Sequence, residues 1–241
     1  MPIRVTEEHG VRFLEFGGHW IQGAMRLSEP WSLELEYAQS MMLPLLARPA
    51  GWPRRVLQVG LGAGSLAKFL YRHRPRARID VVEIDPEVAL HAWQFFHLPP
   101  ESARLRVEIE DAYTFVARGR QRYDLMLIDG FDSKAEAGRL DSPAFYRNCR
   151  ARLAPGGILV ANLIGKRRLP REGIERLRRA FDGRIRVLPR NEANTIVVAT
   201  TGEPKRVTRP VLELRARRLR ARTGLDLGPV LRAMKGETLA I

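Results

Sequence analysis

Short apolar runs alternate along the chain with stretches whose apolar residues recur every three or four positions. Seven runs read as strands: Arg55–Val59, Arg78–Ile84, Arg104–Glu108, Leu125–Ile128, Ile158–Asn162, Arg184–Leu188 and Thr195–Ala199. Five stretches between them read as helices, at about Ser65–Arg74, Pro86–Phe96, Ala112–Arg118, Ser142–Leu153 and Arg171–Phe181. Near-continuous apolar strands alternating with helices predict an α/β fold with a doubly wound, mainly parallel seven-stranded sheet. The short link from Pro189 to Asn194 favours an antiparallel hairpin of the last two strands at one edge.

The ends of the chain follow other patterns. Val11–Phe16 and His19–Gly23 flank Gly17-Gly18 as a small β-hairpin, too small for a core of its own and expected to lean on the main domain. Pro30 and Trp31 lead into a helix with Ser32 as N-cap and Leu35, Met42, Leu43 and Leu46 as its apolar face. Beyond Gly202, Pro210 opens a helix from Val211 to Arg222 that Gly224 stops. Its Val211, Leu212, Leu214 and Leu219 suffice to dock one face. The expected organisation is a small N-terminal β region (1–30), a main Rossmann-like α/β domain (31–202) and a basic helical tail (203–241).

Composition narrows the classes. The single Cys149 excludes an internal disulfide and a cysteine metal cluster, and no His/Cys/Asp group has metal-ligand spacing, so no metal is expected. No apolar run approaches the roughly 18–20 residues of a membrane span, and the N-terminus lacks the apolar core of a signal peptide. A cytoplasmic protein without a membrane partner is expected. Lys plus Arg number 41 against 27 acidic residues, a net charge of +14. That charge admits nucleic acid as a partner, but solvated cations on an arginine-rich surface are favoured over it. A site for a cationic ligand must therefore be locally acidic.

The candidate chemistry centres on Val59-Gly60-Leu61-Gly62-Ala63-Gly64-Ser65, between the first strand of the alternation and its helix. Glycines there permit positive φ and let a ligand approach the backbone, and the helix N-terminus favours a polar or anionic ligand. Glu83 near the carboxyl end of the next strand is placed to accept both hydroxyls of a ribose. Asp111, after the third strand, suits either an exocyclic amine such as adenine N6 or the N-cap of the next helix. Asp129 and Asp132 follow the fourth strand. Two carboxylates there can orient an amine or take its proton, or simply turn a loop.

These residues resemble the spermidine synthase family of polyamine aminopropyltransferases, whose core is the Rossmann-like class I methyltransferase fold. The resemblance runs from about Ile21 to Asn162. It rests on the glycine loop, Val82-Glu83-Ile84-Asp85-Pro86-Glu87-Val88, Glu110-Asp111-Ala112 and Asp129-Gly130-Phe131-Asp132, with Phe145-Tyr146 and Leu153-Ala154-Pro155-Gly156-Gly157-Ile158-Leu159 in support. It implies a transferase that moves an aminopropyl group from decarboxylated S-adenosylmethionine to a small-molecule amine, and a homodimer is an accompanying expectation. Carried onto this chain, Gly60, Gly62, Gly64, Glu83, Asp111 and Ala112 bind the donor, Asp129 is the catalytic acceptor, and Asp132, Gln22 and Tyr37 shape the amine site. Ala63 stands where the family carries an Asp that holds the donor's terminal amine. The alternatives are an S-adenosylmethionine-dependent methyltransferase and a non-catalytic nucleoside- or nucleic-acid-binding module on the same fold.

Overall fold

A computed structural model describes residues 3–17, 21–131, 136–165, 168–189, 193–234, 236 and 238–241. Three antiparallel strands open the chain, β1 (Arg4–Glu8), β2 (Val11–Glu15) and β3 (Ile21–Arg26). The expected hairpin is thus present with a third strand on its edge. α1 (Glu36–Met41) follows, then a 3₁₀ turn over Leu43–Leu46. The helix starts later than expected. The Ser32 hydroxyl donates to the Glu29 carboxylate at 3.0 Å, and Leu35 takes the N-cap position without a side-chain cap.

The alternation then runs β4 (Arg55–Val59), α2 (Ser65–His73), β5 (Arg78–Glu83), α3 (Pro86–Phe95), β6 (Leu105–Ile109), α4 (Ala112–Arg118), β7 (Tyr123–Ile128), α5 (Pro143–Ala151), β8 (Leu153–Ile164), α6 (Arg171–Ala180), β9 (Ile185–Val187) and β10 (Asn194–Thr200). The sheet order is β6-β5-β4-β7-β8-β10-β9. β4 pairs in parallel with β5 and β7, β5 with β6, and β7 with β8. β10 is antiparallel to both neighbours and slots between β8 and β9, which gives the expected edge hairpin.

Alternation along the central strands divides the core into two layers. Val56, Val81, Leu125 and Val160 face one cluster with α1, α2 and α3, while Leu57, Val82, Met126 and Leu159 face the other with α4, α5 and α6. Burying both faces is what makes these strands near-continuous apolar runs. β8 is longer than its apolar signal. It begins at Leu153, and the pairing with β7 shifts register between Tyr123 and Leu125, so the Ala154–Gly157 stretch joins the strand.

Lys68 of α2 is a charge inside the first layer, 1% exposed. Its Nζ donates to the Phe96 carbonyl at 2.6 Å, and burial pushes the ammonium pKa down to about 7. The tail packs on the same layer. β11 (Arg206–Thr208) pairs with β12 (Thr238–Ala240) around α7 (Arg209–Thr223) and α8 (Gly228–Ala233). α7 buries Leu212, Ala216 and Leu219. Val211 and Leu214, expected on the docked face, are 39% and 40% exposed, because the buried stripe at i, i+4 and i+7 leaves them beside it. Gly224, left-handed at φ 77°, ends the helix as expected.

Candidate functional site

The topology switches direction between β4 and β7, the place where open α/β sheets hold ligands beyond their strand ends. The loop after β4 turns on Gly60, Gly62 and Gly64 at φ of 82°, 53° and 68°. Only glycine fits the first two. A Cβ on Gly60 would meet the Asp129 carbonyl, and one on Gly62 would lie 2.7 Å from the Gln22 carbonyl oxygen. The loop is therefore pressed between the end of β7 and β3. The Gly60 N–H donates to Val82 and the Asp129 N–H to Val59, each at 2.9 Å, which ties three strand ends together.

A cavity of about 340 Å³ opens over these ends. Gln22, Tyr37, Gly60, Gly62, Glu83, Asp111, Ala112 and Asp129 all line it. Residues distant in sequence, from β3 to the end of β7, thus share one hollow. Gly64 takes the left-handed N-cap position of α2. Asp132 lies outside the described residues. Among the described residues no group of three or more His, Cys, Asp or Glu side chains is arranged for a metal ion.

At one end of the cavity Glu83 accepts the Leu61 N–H at 2.8 Å, and those of Ile84 and Asp85 at 2.9 and 3.0 Å. Burial raises its pKa, and these three backbone donors oppose the rise. Glu83 thereby clamps the glycine loop to the tip of β5. Asp111 does cap α4, accepting the Tyr113 N–H at 2.9 Å, yet it also faces the cavity. Arg139, which sequence reasoning missed, lies over the Tyr113 ring at 4.0 Å and donates to Asp111 at 3.5 Å. It sits in a 3₁₀ turn over Gly138–Asp141, and no periodicity marks it.

At the other end the Tyr37 hydroxyl hydrogen-bonds the Asp129 carboxylate. The Asn162 Nδ2 donates to Asp129 Oδ1 at 2.9 Å. Burial raises the Asp129 pKa, and these two donors hold part of the rise back. Tyr37 is pushed far up by burial and by Asp129, so its hydroxyl stays a donor. Asn162 and Gln58 were the other residues missed. Both are amides on otherwise apolar strands, and that contrast was the available signal. The arrangement is a carboxylate acceptor, fixed by two donors, facing a hollow whose far end holds Glu83 and Asp111.

The family model for the spermine/spermidine synthase domain matches residues 36–184. The chain belongs to the spermine/spermidine synthase family. It is 34% identical over 237 residues to a polyamine aminopropyltransferase of Chromobacterium violaceum, covering 98% of this chain and 90% of that one. Among solved structures, a probable spermidine synthase from Corynebacterium glutamicum superposes with a TM-score of 0.76 at 21% identity, over 90% of this chain and 83% of that chain. Human methyltransferase-like protein 13, solved with SAH, superposes with a TM-score of 0.67 at 25% identity, over 84% and 95%. The spermine/spermidine synthase member described here is thus a transferase on the Rossmann-like, class I methyltransferase-type core.

Proposed function

We propose that the chain transfers an aminopropyl group from decarboxylated S-adenosylmethionine to a small-molecule amine, releasing methylthioadenosine. The observation that carries the reading is the Asp129 carboxylate, braced by Tyr37 and Asn162, in one cavity with Glu83 and Asp111. Glu83 holds the ribose hydroxyls and Asp111 the adenine amine, with Gly60, Gly62 and Ala112 giving the nucleoside a close backbone wall. Gln22 and Tyr37 border the amine beside Asp129.

The reaction is a displacement. The amine's lone pair forms the new N–C bond, the C–S bond breaks, and its electrons neutralise the sulfonium. The attacking nitrogen must be unprotonated and aligned with that bond, and alignment is the larger share of what a protein supplies here. Asp129 accepts the amine's hydrogen bond and then the proton lost from the new ammonium. A raised carboxyl pKa suits that role. Incubation with decarboxylated S-adenosylmethionine and a panel of diamines yields methylthioadenosine and the aminopropylated amine. No methylthioadenosine with any amine would overturn the proposal.

Ala63 favours a second reading, methyl transfer from intact S-adenosylmethionine. Between Gly60 and Gly64 the loop's side chains are Leu61 and Ala63, both apolar and buried, so the loop presents no carboxylate to a donor ammonium. Calorimetry with the decarboxylated and the intact donor separates the readings by which of the two binds more tightly.

A further inference from the structure

Gln58 sits on β4, the second residue before the glycine loop, and lines the cavity although only 1% of it is exposed. Its Nε2 donates to the Gly60 carbonyl at 2.8 Å. Its Oε1 is buried and has no hydrogen-bond partner among the described residues. A buried amide oxygen shielded from water and left unpaired is costly, and such groups call for an explanation in a native protein. Three of the cavity's carboxylates are engaged within the protein: Glu83 by three backbone N–H groups, Glu110 by Arg118, and Asp111 by the α4 N-terminus and Arg139.

We infer that Gln58 is a ligand-binding residue whose amide oxygen receives an N–H from a primary amino group brought into the cavity. The inference rests on the proposed aminopropyl transfer. With Nε2 committed to Gly60, the oxygen is the end left for a ligand. An amide suits the position. It accepts from an ammonium or a free amine without adding a second buried carboxylate beside Asp129, which would drive both pKa values up. The amino group belongs either to the donor's propyl tail or to the acceptor amine.

Gln58→Met keeps the volume and removes the oxygen together with the Nε2 donor to Gly60, a loss that falls equally on every nucleoside the loop binds. The readouts are calorimetric affinity for decarboxylated S-adenosylmethionine, affinity for methylthioadenosine (which lacks the amino group), and the KM for the diamine. If Oε1 holds the donor's tail, the variant loses about tenfold in donor affinity and less than twofold for methylthioadenosine. If it holds the acceptor, both nucleoside affinities stay and KM for the diamine rises about tenfold at unchanged kcat. Equal losses for both nucleosides mean that Gln58 only shapes the loop, and overturn the inference; so does no change in any readout. Gln58→Asn, which keeps the amide but draws its oxygen back by one methylene, serves as the second variant where Gln58→Met fails to fold; it gives the same selective loss, and an equal loss for both nucleosides or no change overturns the inference. An unmutated protein that binds neither nucleoside removes the transfer reading and this inference with it, an outcome visible before any substitution is made.

Discussion

The two ends of the central sheet hold their polar groups differently. At the amino end most are paired, Arg48 excepted, whose Nη2 donates to the Gly156 carbonyl at 3.0 Å while its Nη1 is buried without a partner among the described residues. Asp124 accepts the Arg54 and Arg55 N–H groups at 2.8 and 2.9 Å, and the Tyr123 hydroxyl donates to Asp80 at 2.9 Å. Arg152, 5% exposed, donates to the carbonyls of Gln121, Phe115 and Val116 at 2.5, 3.2 and 3.1 Å. At the carboxyl end Gln58 Oε1, Asn162 Oδ1 and Thr195 Oγ1 have no partner among the described residues, and Asp129 is held at a raised pKa. Local rules broken together around one cavity, with a carboxylate of raised pKa among them, mark the carboxyl end as the working end. Substitutions at the amino end then act on stability, and those at the carboxyl end on turnover.

The largest expected effect is at Asp129. Asp129→Asn keeps the side chain's shape and removes its capacity to take a proton. Turnover with decarboxylated S-adenosylmethionine and the best diamine falls by about 10²–10⁴-fold, the usual worth of a positioned general base, while circular dichroism still reports the native fold. Turnover within threefold of the unmutated rate would take Asp129 out of the chemistry and end the contrast at its strongest point.

Arg152 tests the opposite end. Arg152→Leu removes the guanidinium donor from the carbonyls of Gln121, Val116 and Phe115, of which Phe115 keeps the Gly119 N–H, and removes a cation from over the Phe115 and Tyr123 rings. Urea unfolding registers a loss of about 3 kcal/mol, since each unpaired buried acceptor carries a desolvation cost. Under conditions where the variant is fully folded, kcat/KM stays within twofold. A marked drop in kcat/KM there would mean that the two ends are coupled through β7.

Much of this division was legible from residues alone, and the physical reason differs by element. β4 and α4 fall on their predicted bounds, because an apolar run before a glycine turn and an Asp-capped helix are local signals. Glu83 and Asp129 followed from strand order, since a parallel sheet puts strand ends on one edge. β1 escaped because it is an edge strand whose residues, Val5 aside, are polar and exposed, with no alternation to read. α8 and the β11–β12 pair are too short for periodicity. Ser32 misled because its hydroxyl had a nearer partner in Glu29. Asn162 and Arg139 reach the site only through tertiary placement: Asn162 by pairing of β8 beside β7, and Arg139 by stacking on a ring 26 residues earlier in the chain.

The smallest effect sharpens the comparison most, because it separates charge tuning from shape within the carboxyl end. Tyr37→Phe keeps the ring that buries Asp129 and removes the hydroxyl that donates to it. That donor lowers the Asp129 pKa against the rise caused by burial, so its loss moves the carboxyl further up. The competent form is the carboxylate. The acid limb of the kcat/KM profile therefore shifts to higher pH, the rate falls at pH values on or below that limb, and it recovers on the alkaline plateau to within about threefold of the unmutated enzyme, as for one hydrogen bond to a charged group. A drop of equal size at every pH, with the limb unmoved, would instead assign the hydroxyl to alignment of the amine. The raised pKa of Asp129 would then be a by-product of its burial rather than a property that Tyr37 sets.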